Sequence, residues 1–407
     1  MRPKLILIIA LLMALVACDS GGATTTTGAE APETTSASTS DTEATETTAS
    51  SPDETSAPDE TGGEEAEADW FAACGERIVI QTDWFPQAEH AAAYQLAGIG
   101  GEIDASTGIY SNEIGDTGVT LEIRAGGPFQ GFQPDVSLIY QNPEIDLGFV
   151  DQDDAVQNFG NFPVVGVVSV MNKTPLMLMW DPATYDFEEF SDIGESDATV
   201  LYFEGSEGYI DYLVSIGALR EDQLDGSYDG SPARFVAEPV VQQGFVTNEV
   251  YRYENVISEW MKPVDYFLVH DSGFEIYPQL YAARPEKIEE RRECFELLVP
   301  ALQQAQVDYF NDPEPLNREL VRIVEALDSF WELSEELNAE AHRLSLELGL
   351  VQNSPDGTLG SYDLERAQRV IDLLVPLFEG SENFDPTVTA DQIVTNEFID
   401  PSISLDS

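Results

Sequence analysis

The 407-residue chain has few basic residues, with 18 Lys plus Arg against 76 Asp plus Glu and a formal net charge of -58. Such a surface repels nucleic acid and anionic lipid headgroups. The simplest explanation of the charge is an acid-rich proteome. The acidic excess therefore argues against anionic partners and does not identify a partner. We expect no nucleic-acid partner.

Histidine and recognisable catalytic motifs are also scarce. The chain has three histidines, His90, His270 and His342, and no GxSxG, HExxH, P-loop or strand-linked GxGxxG sequence. No Cys-His or multi-His spacing indicates a zinc site. Carboxylates are so numerous that no pair stands out as a glycosidase dyad. We therefore predict a protein that is not an enzyme and that needs no cofactor or metal.

The N-terminus has the pattern of a secretory signal. Arg2 and Lys4 precede an apolar run, and small residues lead to Cys18. The run is too short to span a bilayer as a folded helix. The ending LVAC resembles the bacterial lipobox, which implies removal of residues 1–17 and lipidation of Cys18, although an ordinary signal peptide is an alternative. Lipidation would anchor an extracytoplasmic protein to the cell membrane.

Residues 18–73 form an acidic segment rich in Thr and Ser, without Lys or Arg and with little apolar content. Such a segment cannot bury enough surface to offset its ordering entropy. We predict a disordered tether that holds a folded module away from the membrane.

Two cysteines remain after Cys18. Cys74 and Cys294 lie in a compartment that permits disulfides, and the sequence leaves a bridge and two free thiols equally open.

From Cys74 onward, strand and helix patterns alternate, which indicates an α/β module. RIVIQTDW is a buried strand, and Pro86 opens a helix that ends near Gly98. Further strands are predicted in GVTLEIRAGG, EIDLGFV, VVGVVSVMN, PLMLMWD, TVLYF, ARFVAEPV and VDYFLVH, the last returning toward the first sheet. After Tyr281 the pattern is helical. Two α/β units with two apolar crossings predict a pair of lobes with a cleft.

Polar groups follow several of these strands, and the carboxyl ends of strands in open α/β sheets face the ligand crevice. Each candidate also has a structural interpretation: aromatic residues in the core, glycines in turns, and polar residues as helix caps. The predicted ligand-binding residues are Asp83, Trp84, Glu89, His90, Tyr94, Gly127, Asp151, Gln152, Ser206, Glu207, Asn248 and Glu249.

Three segments carry a family resemblance. DWFPQAEHAAAY, EIDLGFVDQDDA and QGFVTNEVYRYE resemble motifs of ABC-importer solute-binding proteins of the thiamine-pyrimidine-precursor group, with Val250 in place of a family proline. Relatives in that family bind alkanesulfonates, nitrate and riboflavin-like compounds. The resemblance implies a two-lobed type II periplasmic-binding-protein fold, with lobe one at 74–172 and 266–407 and lobe two at 173–265.

The resemblance further implies a monomer that captures a small polar heteroaromatic solute and delivers it to ABC permease subunits. Trp84 would stack on the ring, and Asp83 and Glu249 would pair with its donors. Residues 98–118 are longer than the compact family turn. The alternatives are a sulfonate, nitrate or riboflavin-type receptor, a pyrimidine-cofactor biosynthetic enzyme of the same fold, and a surface adhesion or scaffold protein.

Overall fold

The computed structural model describes residues 69–204 and 208–405, so the predicted signal peptide, Cys18 and nearly all of the tether lie outside the described residues. The fold is mixed α/β. Its twelve strands within that part of the chain are β1 Arg77–Gln81, β2 Glu102–Asp104, β3 Ile109–Glu113, β4 Thr120–Arg124, β5 Leu147–Val150, β6 Val165–Ser169, β7 Leu176–Trp180, β8 Thr199–Leu201, β9 Leu224–Asp225, β10 Val240–Phe245, β11 Asp265–Leu268 and β12 Leu280–Ala283.

The α-helices include one N-terminal to the predicted start of the module and several long C-terminal helices. In chain order they are α1 Trp70–Cys74, α2 Ala91–Ala97, α3 Asp135–Gln141, α4 Gln152–Gln157, α5 Phe190–Glu195, α6 Gly208–Ser215, α7 Ala233–Ala237, α8 Glu249–Asn255, α9 Pro285–Glu290, α10 Arg292–Asn311, α11 Glu314–Leu327, α12 Glu335–Glu347, α13 Leu364–Phe378 and α14 Ala390–Ile393.

The first sheet has seven strands in the order β2-β3-β4-β1-β5-β12-β6. Its centre is parallel, with β1 between β4 and β5, and β12 runs antiparallel between β5 and β6. Ile78, Val79 and Ile80 are all buried, because helices cover both faces of the parallel strands. Residues 98–118 contribute the antiparallel strands β2 and β3 to the edge of this sheet.

The second sheet has five strands in the order β11-β7-β10-β8-β9. The chain passes from β6 in the first sheet to β7 in the second through residues 170–175, and it returns from β11 to β12 through residues 269–279. We call these two connections the crossing segments. They place the carboxyl end of β5 next to strands of the second sheet.

One predicted strand, and the sheet predicted for another, were wrong. ARFVAEPV contains the helix α7, and the strand begins only at Val240. A short apolar run of this kind suits either structure, and Ala233 to Ala237 is rich enough in helix formers to form a turn of helix. VDYFLVH contains β11, which pairs antiparallel with β7 in the second sheet and does not return to the first.

The C-terminal helices return to the first sheet. The amphipathic helix α10 packs on α2, and α1 packs on α10. A disulfide joins Cys74 at the end of α1 to Cys294 in α10, across a sequence separation of 220. Arg291 bonds to Asp146 at 2.5 Å and to the carbonyl of Cys74, so the same corner carries a buried ion pair. These contacts hold the N-terminal edge of the module against the C-terminal helices.

Candidate functional site

The loop after β1 is held in place by the loop after β4. The backbone N–H groups of Gly126 and Gly127 donate to the carbonyls of Trp84 and Asp83, at 3.0 and 3.1 Å. A side chain at Gly126 would overlap the carbonyl of Thr82, and one at Gly127, where φ is 59°, would touch the ring of Trp84. The two glycines therefore let one loop pack on another, which is a structural reason for both.

Asp83 is the centre of a hydrogen-bonded network. Its Oδ1 lies 2.7 Å from Nε2 of His90, and its Oδ2 accepts a bond of 2.9 Å from Nε2 of Gln279. The backbone N–H of Gln279 donates to Oδ1 of Asp151 at 2.7 Å. The network therefore joins the loop after β1, the segment before β12 and the carboxyl end of β5.

The members of this network differ in exposure. The Asp83 side chain is 38% exposed, whereas His90 is fully buried and stacks on Phe149 at 5.0 Å between ring centroids. His90 therefore positions Asp83 and has no open surface for a ligand. Gln279 has a φ of 48°, which is uncommon for a residue other than glycine, and its bonds to both aspartates stabilise that conformation.

The carboxyl groups at this site differ in the direction in which their pKa values are shifted. Burial opposes ionisation of Asp83, but the charge of His90 and hydrogen bonds from His90 and Gln279 outweigh it and lower the pKa of Asp83. Burial raises the pKa of Asp151 to about 7 and that of Asp154 to about 6. Burial and the charges of Asp154 and Asp151 raise the pKa of Asp153 well above its usual value. The site therefore holds carboxyl groups that titrate near neutral pH, as functional sites often do.

Trp84 lies in an aromatic cluster. Its ring is half-buried, with centroids 5.8 to 6.5 Å from those of Phe85, Phe132, Phe330 and Trp331, most of them edge-on. Phe330 and Trp331 come from the connection between α11 and α12. Edge-on packing leaves part of the Trp84 face uncovered, but these contacts also give the indole a structural role.

Glu89 and Thr247 make a contact between the two sheets' loops. Thr247 follows β10 of the second sheet, and its hydroxyl donates to Oε1 of Glu89, which follows β1 of the first. Burial raises the pKa of Glu89. Asn248 is the residue before α8 and makes no side-chain capping bond, while Oε2 of Glu249 accepts from the N–H of Phe245 at 2.6 Å.

A cavity of about 420 Å³ lies between the two sheets. Asp151, Asp153 and Asp154 reach it from the carboxyl end of β5, and Leu176 and Gln243 reach it from β7 and β10. Its volume falls in the range of small-molecule sites. The other residues that line the cavity are Gln157, Thr174, Glu204, Gly208, Tyr209, Asp211, Phe245, Phe274, Ile276 and Phe378.

Several predicted site residues lie away from this cavity. Tyr94 is 1% exposed and packs against Tyr110 in the core. Gln152 is fully buried, where it donates to the carbonyl of Ala367 and accepts from the N–H of Tyr277. These positions favour structural roles for both. Ser206 and Glu207 lie outside the described residues.

The structure adds residues that the sequence did not indicate. Gln279 belongs to no motif, whereas Gln243 opens the segment QGFVTNEVYRYE but is not among the predicted ligand-binding residues. Oε1 of Gln243 accepts from the N–H of Phe203 and the hydroxyl of Tyr209, so the side chain is fixed at the cavity wall. A strand assignment that placed β10 at 240–245 would have identified Gln243, because alternate residues face one side of a strand.

Within residues 69–204 and 208–405, no group of three or more His, Cys, Asp or Glu side chains is arranged to hold a metal ion. The same residues contain no helix with the length and apolarity needed to cross a bilayer.

No family model and no curated protein matches this chain. Among solved structures, the periplasmic aliphatic sulphonate binding protein SsuA from Escherichia coli aligns with a TM-score of 0.54 at 12% identity, over 79% of this chain and 92% of that one. The chain has the periplasmic-binding-protein fold. A protein from Bordetella bronchiseptica RB50 shares the fold at a TM-score of 0.51 and 12% identity, over 79% of this chain and 95% of that one.

The periplasmic sulfonate-binding protein SsuA from Methylobacillus flagellatus KT aligns at a TM-score of 0.50 and 12% identity, over 79% of this chain and 92% of that one. At such low identity the periplasmic-binding-protein fold is shared but the ligand is not implied. The predicted fold class is therefore confirmed, and the solute must be argued from the site.

Proposed function

We propose that this protein is a lipid-anchored, extracytoplasmic solute-binding receptor of an ABC importer, which captures a small polar heteroaromatic solute by closure of two lobes. The observation that supports this most strongly is the cavity between the sheets, which both sheets line with polar side chains. Ligands of open α/β folds bind beyond the carboxyl ends of strands, where Asp151 lies. Two of the three fold neighbours are described as sulphonate-binding proteins, which agrees with a transport role.

The crossing segments are the proposed hinge. Arg366 donates to the carbonyls of Asn172 at 2.5 Å and Ile276 at 2.8 Å, one on each segment, and its guanidinium lies 4.0 Å from the ring centre of Tyr277. Closure would rotate the lobes, with boundaries near residues 172 and 266, about these two segments. The Thr247 contact to Glu89 would form as the lobes meet.

The proposed recognition of a flat ring rests on Phe245, which lines the cavity with 44% of its surface exposed, and on the half-buried Trp84, which neighbours Asp83 in the loop after β1 and does not itself line the cavity. Asp83 and Asp151 would accept hydrogen bonds from the solute. Glu249 is already an acceptor for the backbone of Phe245, so its role in pairing with the solute has less support than that of Asp83.

Catalysis by a pyridoxal phosphate enzyme of the same fold has little support, because such an enzyme needs a lysine in the cleft. Lys173 donates to the carbonyl of Leu348, Lys262 pairs with Asp181, and the largely buried Lys287 faces Asp146. None of the three lines the cavity.

A thermal-shift screen of vitamins, their precursors, sulfonates and nitrate tests the proposal. We expect one class of small solute to raise the unfolding temperature and to bind with a stoichiometry of one in calorimetry. Absence of binding by every solute, together with an unliganded crystal structure whose cavity is filled by side chains, would favour the scaffold alternative.

A further inference from the structure

The wall of the cavity has one sign of charge. Five of its lining residues are acidic and none is basic, the five being Asp151, Asp153, Asp154, Glu204 and Asp211. Within the described residues, no Lys, Arg or His nitrogen lies within the 4.0 Å of an ion pair from any of these carboxylates. Glu204 and Asp211 are exposed, whereas Asp151, Asp153 and Asp154 are partly buried, where an ionised carboxylate without a cationic partner is costly.

Two basic groups adjoin residues that line the cavity. Lys173 precedes Thr174 in one crossing segment, and Arg366 donates to the carbonyl of Ile276 in the other. Burial and these two positive charges lower the pKa of His270 to about 4. Arg366 donates to the carbonyls of Asn172 and Ile276, and Lys173 donates to that of Leu348. Both groups hydrogen-bond to backbone carbonyls, and within the described residues neither forms an ion pair with the acidic wall.

Gln279, which is hydrogen-bonded to Asp151 of the wall, has an unsatisfied side-chain oxygen. The residue is 8% exposed, and its Nε2 donates to Oδ2 of Asp83. An ionised carboxylate can only accept, so this bond fixes the orientation of the amide and leaves Oε1 as an acceptor. That Oε1 is buried and has no hydrogen-bond partner in the described part of the chain.

The backbone N–H of Gln279 donates to Asp151, so this residue adjoins the acidic wall, while its side chain is directed at Asp83 and does not line the cavity. Oδ1 of Asp153, another member of the wall, is likewise buried without a partner among the described residues. The buried oxygens of Gln279 and Asp153 are thus hydrogen-bond acceptors without a donor among the described residues. Buried polar groups in native proteins are nearly always hydrogen-bonded, so these oxygens call for a donor from outside the chain.

We propose that the solute is an organic cation rich in N–H donors, such as an amine, an amidinium or a protonated aminoheterocycle, and not an anion such as a sulfonate or nitrate. This inference rests on the proposed receptor function and specifies its substrate class. A cation would neutralise the wall and supply the missing donors, and an anion would meet like charges that cost several kcal/mol.

Two sets of solutes matched in shape and differing in charge test this. The aromatic set is benzamidinium, benzamide and benzenesulfonate, and the aliphatic set is hexylammonium, hexanamide and hexanesulfonate. Each is titrated into the full chain by calorimetry at about 0.15 M salt, where exposed charges more than about 8 Å apart are screened. We expect the cation of at least one set to bind with a stoichiometry of one and about tenfold or more tighter than its neutral partner, with no heat from the sulfonates.

The whole chain is strongly acidic, so a control must separate the wall from the general field. Asp153→Asn and Asp211→Asn each replace one carboxyl group of the wall by a neutral amide, the second at an exposed position where folding is little affected. Asp222→Asn removes the same charge from an acid that is 78% exposed and outside the cavity. We expect about a tenfold loss of cation affinity in the wall variants and less than about twofold in Asp222→Asn.

The possible results separate a failure of the cation inference from a failure of the receptor function. Tighter binding of a neutral solute or a sulfonate would overturn the cation inference and leave the receptor function standing. An equal loss of cation affinity in Asp153→Asn, Asp211→Asn and Asp222→Asn would also overturn the cation inference. So would an equal heat of binding when magnesium chloride alone is titrated. If no member of either set binds and the wider screen is also empty, the receptor function itself fails.

Discussion

Replacement of Thr247 by Val tests whether the loops on either side of the cleft hold the closed form. The substitution keeps the shape of the side chain and removes the hydroxyl that donates to Glu89. A hydrogen bond to a charged group contributes about 1.5 to 3 kcal/mol, and a neutral one about 0.5 to 1.5 kcal/mol. Burial raises the pKa of Glu89, so both forms of the carboxyl are relevant and we expect a loss of about 1 to 3 kcal/mol in the closed form.

A loss of this size shifts the ratio of closed to open protein by about 5-fold to 150-fold. Small-angle X-ray scattering of the unliganded protein measures it as a larger radius of gyration for the variant. The matched control is Thr387→Val, because the Thr387 hydroxyl also donates to a carboxylate, that of Asp385 at 2.8 Å, but within one exposed loop. An unchanged radius of gyration for Thr247→Val, or an equal change in the control, would refute the assignment of this contact to closure.

Three further predictions concern stability, titration and stacking. Replacement of Cys74 and Cys294 by Ser should lower the free energy of unfolding by about 5 kcal/mol on the chain-entropy model, for a separation of 220 residues, as measured by urea denaturation. Asp151→Asn should become more stable relative to wild type as pH rises from about 4 to about 7, because over this range the Asp151 carboxyl ionises in the unfolded chain but stays protonated in the folded protein, which lowers the stability of wild type. Trp84→Ala should weaken binding of the best solute from the screen by about 1 to 3 kcal/mol in calorimetry.

Each of these three predictions would be contradicted by a specific result. Reduced wild type should match the double serine variant, and equal urea midpoints for the oxidised and reduced forms would mean that the bridge contributes nothing. A stability difference between Asp151→Asn and wild type that stays flat from pH 4 to 8 would show that Asp151 keeps an ordinary pKa. Unchanged affinity in Trp84→Ala would leave the indole with only its packing role in the aromatic cluster.

Much of the fold follows from local patterns. The buried run Ile78 to Ile80 predicts β1, and Gly98, at a φ of 78°, ends α2 where the sequence indicates. The long helix α13 has the apolar spacing of a helix packed on a sheet. Such elements are predictable because burial on one face imposes a period on the sequence.

Other elements leave no comparable signal. The strand β12, with the sequence LYAA, is short and has no β-branched residue, so the return of the chain to the first sheet could not be recognised from composition. Cys74 and Cys294 are brought together only by the packing of α1 on α10. Long-range packing of this kind is set by the whole fold and not by either local sequence.

The residues of the site likewise include some that the sequence predicts and some that it does not. Asp83 and Asp151 follow strands that the sequence predicts, so their place at the carboxyl edge could be anticipated. Gln279 is 196 residues from Asp83 along the chain, and nothing in its local sequence indicates that contact. The acidic wall is hidden for another reason: with 76 acidic residues in the chain, no subset stands out until the fold brings five of them together around one cavity.

The most direct test of the central claim is a crystal structure with the solute that binds most tightly in the screen. We expect ligand density in the cavity between the two sheets, in contact with both Asp151 and Gln243 and with donor atoms directed at the carboxylates. A solute bound elsewhere on the protein, with this cavity empty of it, would show that the cavity is not the binding site.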